Sequence, residues 1–172
     1  MSLVYRLFLA FNSTYLIVVV YLIKEHYKLN IISLYSEYYS WALFLTVPIL
    51  LTTGSFLILR LLGNDSIDKT TVGEIELANN GFLPTYLGYF FVSLGINDIP
   101  TLIFIFFIIY IFTFLSQSLY FNPIFLLFGF QFYFIKTSNQ KVFLITKKQL
   151  KKPGDDGFDR LKRINDYTFI EI

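Results

Sequence analysis

Apolar residues in this chain come in four long blocks. Residues 7–23, 39–59, 77–97 and 99–135 contain no Asp, Glu, Lys or Arg, and each block is near or above the roughly 17 residues that a helix needs to cross the hydrocarbon core of a bilayer. The pattern predicts transmembrane helices at about 3–23, 41–62, 81–96 and 100–120, then a greasy exit segment along the interface, Ile124 to Phe130. From Gln131 the period changes. Phe132 to Thr137 and Lys141 to Lys147 are short runs rich in aromatic and β-branched residues. They flank Ser138-Asn139-Gln140, a spacing suited to a β-hairpin. Tyr167 to Ile172 predicts a third strand, and because an isolated hairpin is marginal in water, a small sheet of about three strands is expected. The predicted architecture is an α-helical integral membrane protein of four transmembrane helices, residues 1–130, followed by a β-rich tail, residues 131–172.

Polar residues inside the spans sharpen this picture. Arg6, near the start of the first span, can snorkel to the interface. In Asn12-Ser13-Thr14 the polar groups either face a neighbouring helix, or Ser13 and Thr14 bond back to their own helix while Asn12 sits near the interface. Residues 24–38 hold three tyrosines; with Tyr39 and Trp41 they form an aromatic belt at the mouth of the second span. Pro48 and Gly54 interrupt that span. Gly81, Gly88 and Gly95 recur every seven residues and share one helical face, which suits close packing against a helix of the same chain or of a second copy. Asp98 is placed to cap the fourth span and Pro100 to occupy its first turn. The polar end of that span, Thr113 and Ser116-Gln117-Ser118, suits a narrow aqueous path, interhelical hydrogen bonds or simple approach to the interface.

Composition agrees with the pattern. Of 172 residues, 55% are hydrophobic and 15% charged, where soluble domains carry about a quarter charged residues; the mean hydropathy is +0.60. The N-terminal run is followed by Lys24-Glu25-His26 without a small-residue cleavage site, which predicts a retained span. Charge is local. From residue 136 onward the tail has nine basic and five acidic residues, and the rest of the chain five and seven. With four spans, twelve Lys and Arg fall on the side of both termini and two, Lys24 and Lys28, on the other. This asymmetry predicts cytoplasmic termini.

The tail lysines form one cluster, Lys147, Lys148, Lys151 and Lys152; Arg160, Lys162 and Arg163 form another. Three uses fit them: a docking surface for a soluble protein, contact with anionic membrane lipids, and direct nucleic-acid contact, for which the patch lacks a recognised module. No enzyme signature is present. There is no cysteine and a single histidine, His26, so neither a thiolate nor a histidine metal site is expected, and no cofactor. Asp155, Asp156 and Asp159 in PGDDGFD are too irregular for a helix-loop-helix calcium site, and neither GxxxxGK nor HExxH occurs. The presumed spans hold no ionisable acid or base apart from tyrosines, which argues against proton coupling. The residues favour a non-enzymatic membrane sensor or scaffold whose tail recruits a soluble effector. A small channel or permease, drawing on Pro48, Gly54, Pro84 and Gly88, is the alternative, and an assembly factor for another membrane protein a third reading.

Four spans in a chain of this length, then NPIFLLFGFQFYF, the strand pair around KVFLITKK and the closing RLKRINDYTFIEI, resemble the membrane subunits of the bacterial Kiwa anti-phage defence system, the KwaA family. The likeness covers essentially the whole chain and rests on its layout. It implies an inner-membrane sensor that forms homo-oligomers and responds to envelope perturbation during phage attachment or DNA entry. It also implies a soluble, DNA-associated cytoplasmic partner subunit that executes the block on phage replication. The resemblance assigns no individual residues.

Overall fold

A computed structural model describes residues 2–29, 37–116, 122–138, 140–151 and 158–171. Three helices among them are long and apolar enough to cross a membrane: α1 (Ser2–Lys24), α2 (Glu37–Leu59) and α4 (Ile99–Ser116). The third apolar stretch forms α3 (Phe82–Gly95), whose 14 residues rise about 21 Å against a hydrocarbon core of about 30 Å. α1 is the central helix, and α2, α3 and α4 all touch it. Neighbouring hydroxyls hold it by its backbone: Tyr110 donates to the Leu7 carbonyl at 3.3 Å, Tyr86 to Ser13 at 3.3 Å and Ser93 to Ile17 at 2.9 Å. At the far end Lys24 donates to the Ile96 carbonyl at 2.5 Å, so α3 runs alongside α1 and finishes where α1 does. There Tyr38 packs on Trp41 with ring centroids 5.3 Å apart, and both Tyr38 and Tyr39 are exposed around the start of α2; Tyr35 lies outside the described residues.

The sheet is larger than the sequence suggested. It has six strands rather than three: β1 (Asn64–Ile67), β2 (Val72–Leu77), β3 (Gln131–Thr137), β4 (Lys141–Thr146), β5 (Phe158–Arg163) and β6 (Thr168–Glu171), in the order β1-β5-β6-β4-β3-β2. The β3–β4 hairpin and the last strand fall where the alternation put them. β1 and β2 come instead from the polar connection between α2 and α3, so the sheet is not confined to the tail. Their acidic, alternating residues read as loop because they are edge strands, and edges carry charge to discourage further pairing. Glu74 and Glu76 of β2 pair with Lys136 at 3.9 Å and Lys141 at 3.1 Å.

A flat sheet of six strands would hold its edges about 24 Å apart, five spacings of about 4.8 Å. Yet Ile67 and Val72, one on each edge strand, are five residues apart in the chain and joined through a 3-10 turn at Lys69–Thr71, and five residues reach at most about 18 Å. The sheet therefore curls. Its concave side encloses Val72, Tyr133, Ile135, Val142, Leu144, Phe158, Leu161 and Phe169. The other side, with Phe132, Phe143, Ile145, Ile164 and Ile170, packs with Tyr5 and Leu9 of α1 and Leu59 at the end of α2. Both faces are buried, which is why β3 and β4 alternate between two apolar sets rather than between apolar and polar.

The turn before α4 follows the sequence expectation. The Thr101 backbone N–H donates to Asp98 Oδ1 at 2.8 Å and the Thr101 hydroxyl to Oδ2 at 2.8 Å. These bonds, the backbone one first, hold the Asp98 carboxyl below its usual range. A carboxyl depressed on folding adds stability above its unfolded-state pKa, and that contribution disappears as pH falls through the lower folded value. Asp98→Ala should lower the thermal midpoint in detergent at neutral pH by a few degrees. The difference from the parent should shrink below about pH 4, the ordinary carboxylate range, as followed by circular dichroism.

Candidate functional site

Where the chain leaves the bundle, three helical segments meet on one hydroxyl. Thr52 Oγ1 accepts from Asn12 Nδ2 of α1 at 2.8 Å and from Asn122 Nδ2 at 3.1 Å, and donates to the Pro48 carbonyl at 2.8 Å. A hydroxyl has one proton and two lone pairs, so Thr52 is saturated. All three side chains are buried. Ser13 and Thr14 instead bond back to the Ala10 carbonyl, each at 3.0 Å. The Asn12-Ser13-Thr14 cluster thus divides between the two uses its composition allowed.

Asn122 also starts the path to the sheet. Its Oδ1 accepts from the Ile124 backbone N–H at 3.0 Å, opening the single-turn helix α5 (Ile124–Leu127), which Gly129 closes in a left-handed conformation at φ 78°. The exit segment is no simple interfacial strip. Leu127 is exposed, while Phe125 is fully buried. Phe56 of α2 stacks on Phe130 at 5.2 Å and meets Phe125 and Phe128 edge-on, each at 5.5 Å. Phe125 in turn contacts Phe132 of β3 at 6.4 Å. An unbroken run of aromatic contacts therefore joins α2 to the sheet. Such pairs prefer edge-to-face or offset geometry and are worth about 0.5–1.5 kcal/mol each beyond their area burial.

The basic residues separate into two kinds. Lys148 pairs with Glu171 at 2.6 Å, Lys162 donates to the Leu62 carbonyl at 2.8 Å, and Arg163 pairs with Asp166 at 2.7 Å and Asp65 at 3.8 Å. These three hold the β1–β5 edge and the end of β6 in place. Lys147, Lys151 and Arg160 are exposed and form no ion pair among the described residues. Lys152 lies outside those residues, as do Gln117, Ser118, Asp155 and Asp156. Arg60, which the hydropathy pattern buried within the second span, sits instead in the turn after α2, beside Lys147 and Lys148. The doublet Thr52-Thr53 and the pair Asn122-Pro123 were the available signals for the junction, but nothing in spacing joins residues 70 positions apart.

Gly81 ends the 3-10 turn before α3, and Gly88 and Gly95 lie on the exposed side of that helix. A Cβ added at Gly88 or Gly95 would meet no neighbouring element within 4 Å among the described residues. Among those residues, then, neither glycine makes room for a helix.

A family model described as "Anti-phage protein KwaA" matches residues 5–170. No curated protein and no solved structure shows significant similarity to the sequence. The match spans nearly the whole chain, helical bundle and sheet together, and the chain belongs to the KwaA family of anti-phage proteins.

Proposed function

We propose that this anti-phage protein is a non-enzymatic sensor and scaffold of the bacterial inner membrane, whose bundle responds to an envelope event and whose sheet recruits a soluble, DNA-associated effector in the cytoplasm. The observation that carries the reading is the continuous mechanical path from α1 and α2 through Thr52, Asn122 and the aromatic run to β3. Along this path each residue touches the next, which is the arrangement a signal passed from spans to sheet would need.

Parity supports four crossings. β1 and β2 share one hydrogen-bonded sheet with β3–β6, so residues 64–77 and 131–171 lie on the same side of a bilayer. Between them the chain crosses an even number of times. If the 18-residue α4 spans, α3 spans with it, and its shortness is met by sheet and exit segment covering the apolar ends of α1 and α2. Basic residues concentrated on the sheet side favour the cytoplasm for it. The channel alternative gains little from Thr52, whose hydroxyl is fully engaged by Asn12, Asn122 and the Pro48 carbonyl.

Three experiments test this reading. Thr52→Val strips the acceptor from two buried amides, a change worth about 1–3 kcal/mol per orphaned group in general and less in bilayers. The variant should reach the membrane but protect cells at least tenfold less in phage plating, with Thr52→Ser near the parent. Lys151→Glu with Arg160→Glu should cut recovery of the soluble partner from detergent extracts by tenfold or more; undiminished recovery would remove the docking surface. Homo-oligomerisation through the open glycine face predicts that Gly88→Leu, whose Cβ would enter open space among the described residues, yields a smaller species in size-exclusion chromatography with unchanged helicity.

A further inference from the structure

Beyond recruitment, one cavity of the molecule has the chemistry of a ligand site. Arg60, Lys147 and Lys148 converge on a cavity of about 460 Å³ between the last turn of α2 and the end of β4, walled by Phe56, Phe128 and Phe130. The Lys147 ammonium stands 4.9 Å from the centroid of the Phe130 ring, on the cavity wall. Glu171 is the one carboxylate at the cavity among the described residues. It is committed: Oε1 pairs with Lys148 at 2.6 Å and Oε2 accepts from the Thr146 hydroxyl. Arg60 and Lys147 therefore face the cavity without an anion among the described residues.

Three cations against one engaged carboxylate call for an anion, and three phenyl walls call for one with an apolar body. Free phosphate would satisfy the cations but lose hydration against the rings. The cavity also lies at the end of α2, a helix long and apolar enough to cross a membrane; Phe56 and Leu59 of that helix and Arg60 just after it line the cavity. We infer that this cavity binds an anionic phospholipid, its phosphodiester held by Arg60 and Lys147 with Lys148 at the rim, and its glycerol and first methylenes against Phe56 and Phe128. Guanidinium is suited to the role because its planar fork matches two phosphate oxygens. The inference rests on the proposed membrane embedding of α2, and it gives the scaffold a dependence on lipid charge independent of its soluble partner.

The test uses the full chain purified in mild detergent from bacterial membranes, with bound lipid read by native mass spectrometry and by binding to vesicles of phosphatidylcholine with or without phosphatidylglycerol. The parent should retain phosphatidylglycerol selectively. Arg60→Gln with Lys147→Gln should weaken that retention roughly thirtyfold, about fivefold for each basic residue, while Arg60→Lys with Lys147→Arg keeps most of it. Equal retention by the neutral variant would overturn the site, as would equal loss in the charge-conserving variant, which would mark a structural effect. Displacement of the lipid by millimolar inorganic phosphate would overturn the lipid in favour of a soluble anion. A chain that fails to sediment with membranes at all would remove the embedding and the site together; a sedimenting chain without lipid selectivity would remove only the site.

Discussion

Asn12, Thr52 and Asn122 are buried where α1, α2 and the chain leaving the bundle come together, so the two amide N–H groups there need an acceptor within the protein. One side chain, Thr52, supplies an oxygen to both Asn12 and Asn122. Geometry follows from that shortage of acceptors. Asn12 fixes the rotation of α1 against α2, and Asn122 fixes where the chain turns out of the bundle, with its own carbonyl opening α5. Phe125 then has one place to go, between α2 and β3, and the orientation of the whole sheet against the helix ends is set by where that ring lands.

Much of this fold can be read directly from the residues. Long uncharged blocks mark the helices because a bilayer tolerates little else, and Asp98 with Pro100 marks the start of α4 because an orphan helix N–H needs a side-chain oxygen. β3, β4 and β6 are visible through their aromatic and β-branched runs. β1, β2 and β5 are not: NDSI, VGEIEL and FDRLKR are rich in charge and adjoin turn residues, and their strand character comes from partners far away in sequence. The site was less legible than the fold. Of the basic residues singled out in the tail, Lys148, Lys162 and Arg163 are occupied in holding strand ends. The cation that completes the group at the cavity, Arg60, was hidden at the edge of an apolar block.

The division of labour among charges matters for how an anti-phage protein of this family can work. Cations tied to Glu171, Asp65, Asp166 and the Leu62 carbonyl stiffen the sheet, and those left over at Lys147, Lys151 and Arg160 present a positive surface on a rigid frame. A frame of this kind carries specificity through placement rather than through flexible charge. Such placement is what the proposed scaffold role would require of it.

The curled sheet has a further consequence, in the order of synthesis. Its two edge strands are made before α3 and α4 and its four inner strands after them, so β1 and β2 are synthesised before any of their sheet partners. Closure requires both groups on the same side. Under the proposed membrane embedding, one helix inserted the wrong way round would part the edge strands from their partners, so closing the sheet by ordinary backbone hydrogen bonds would favour a single topology.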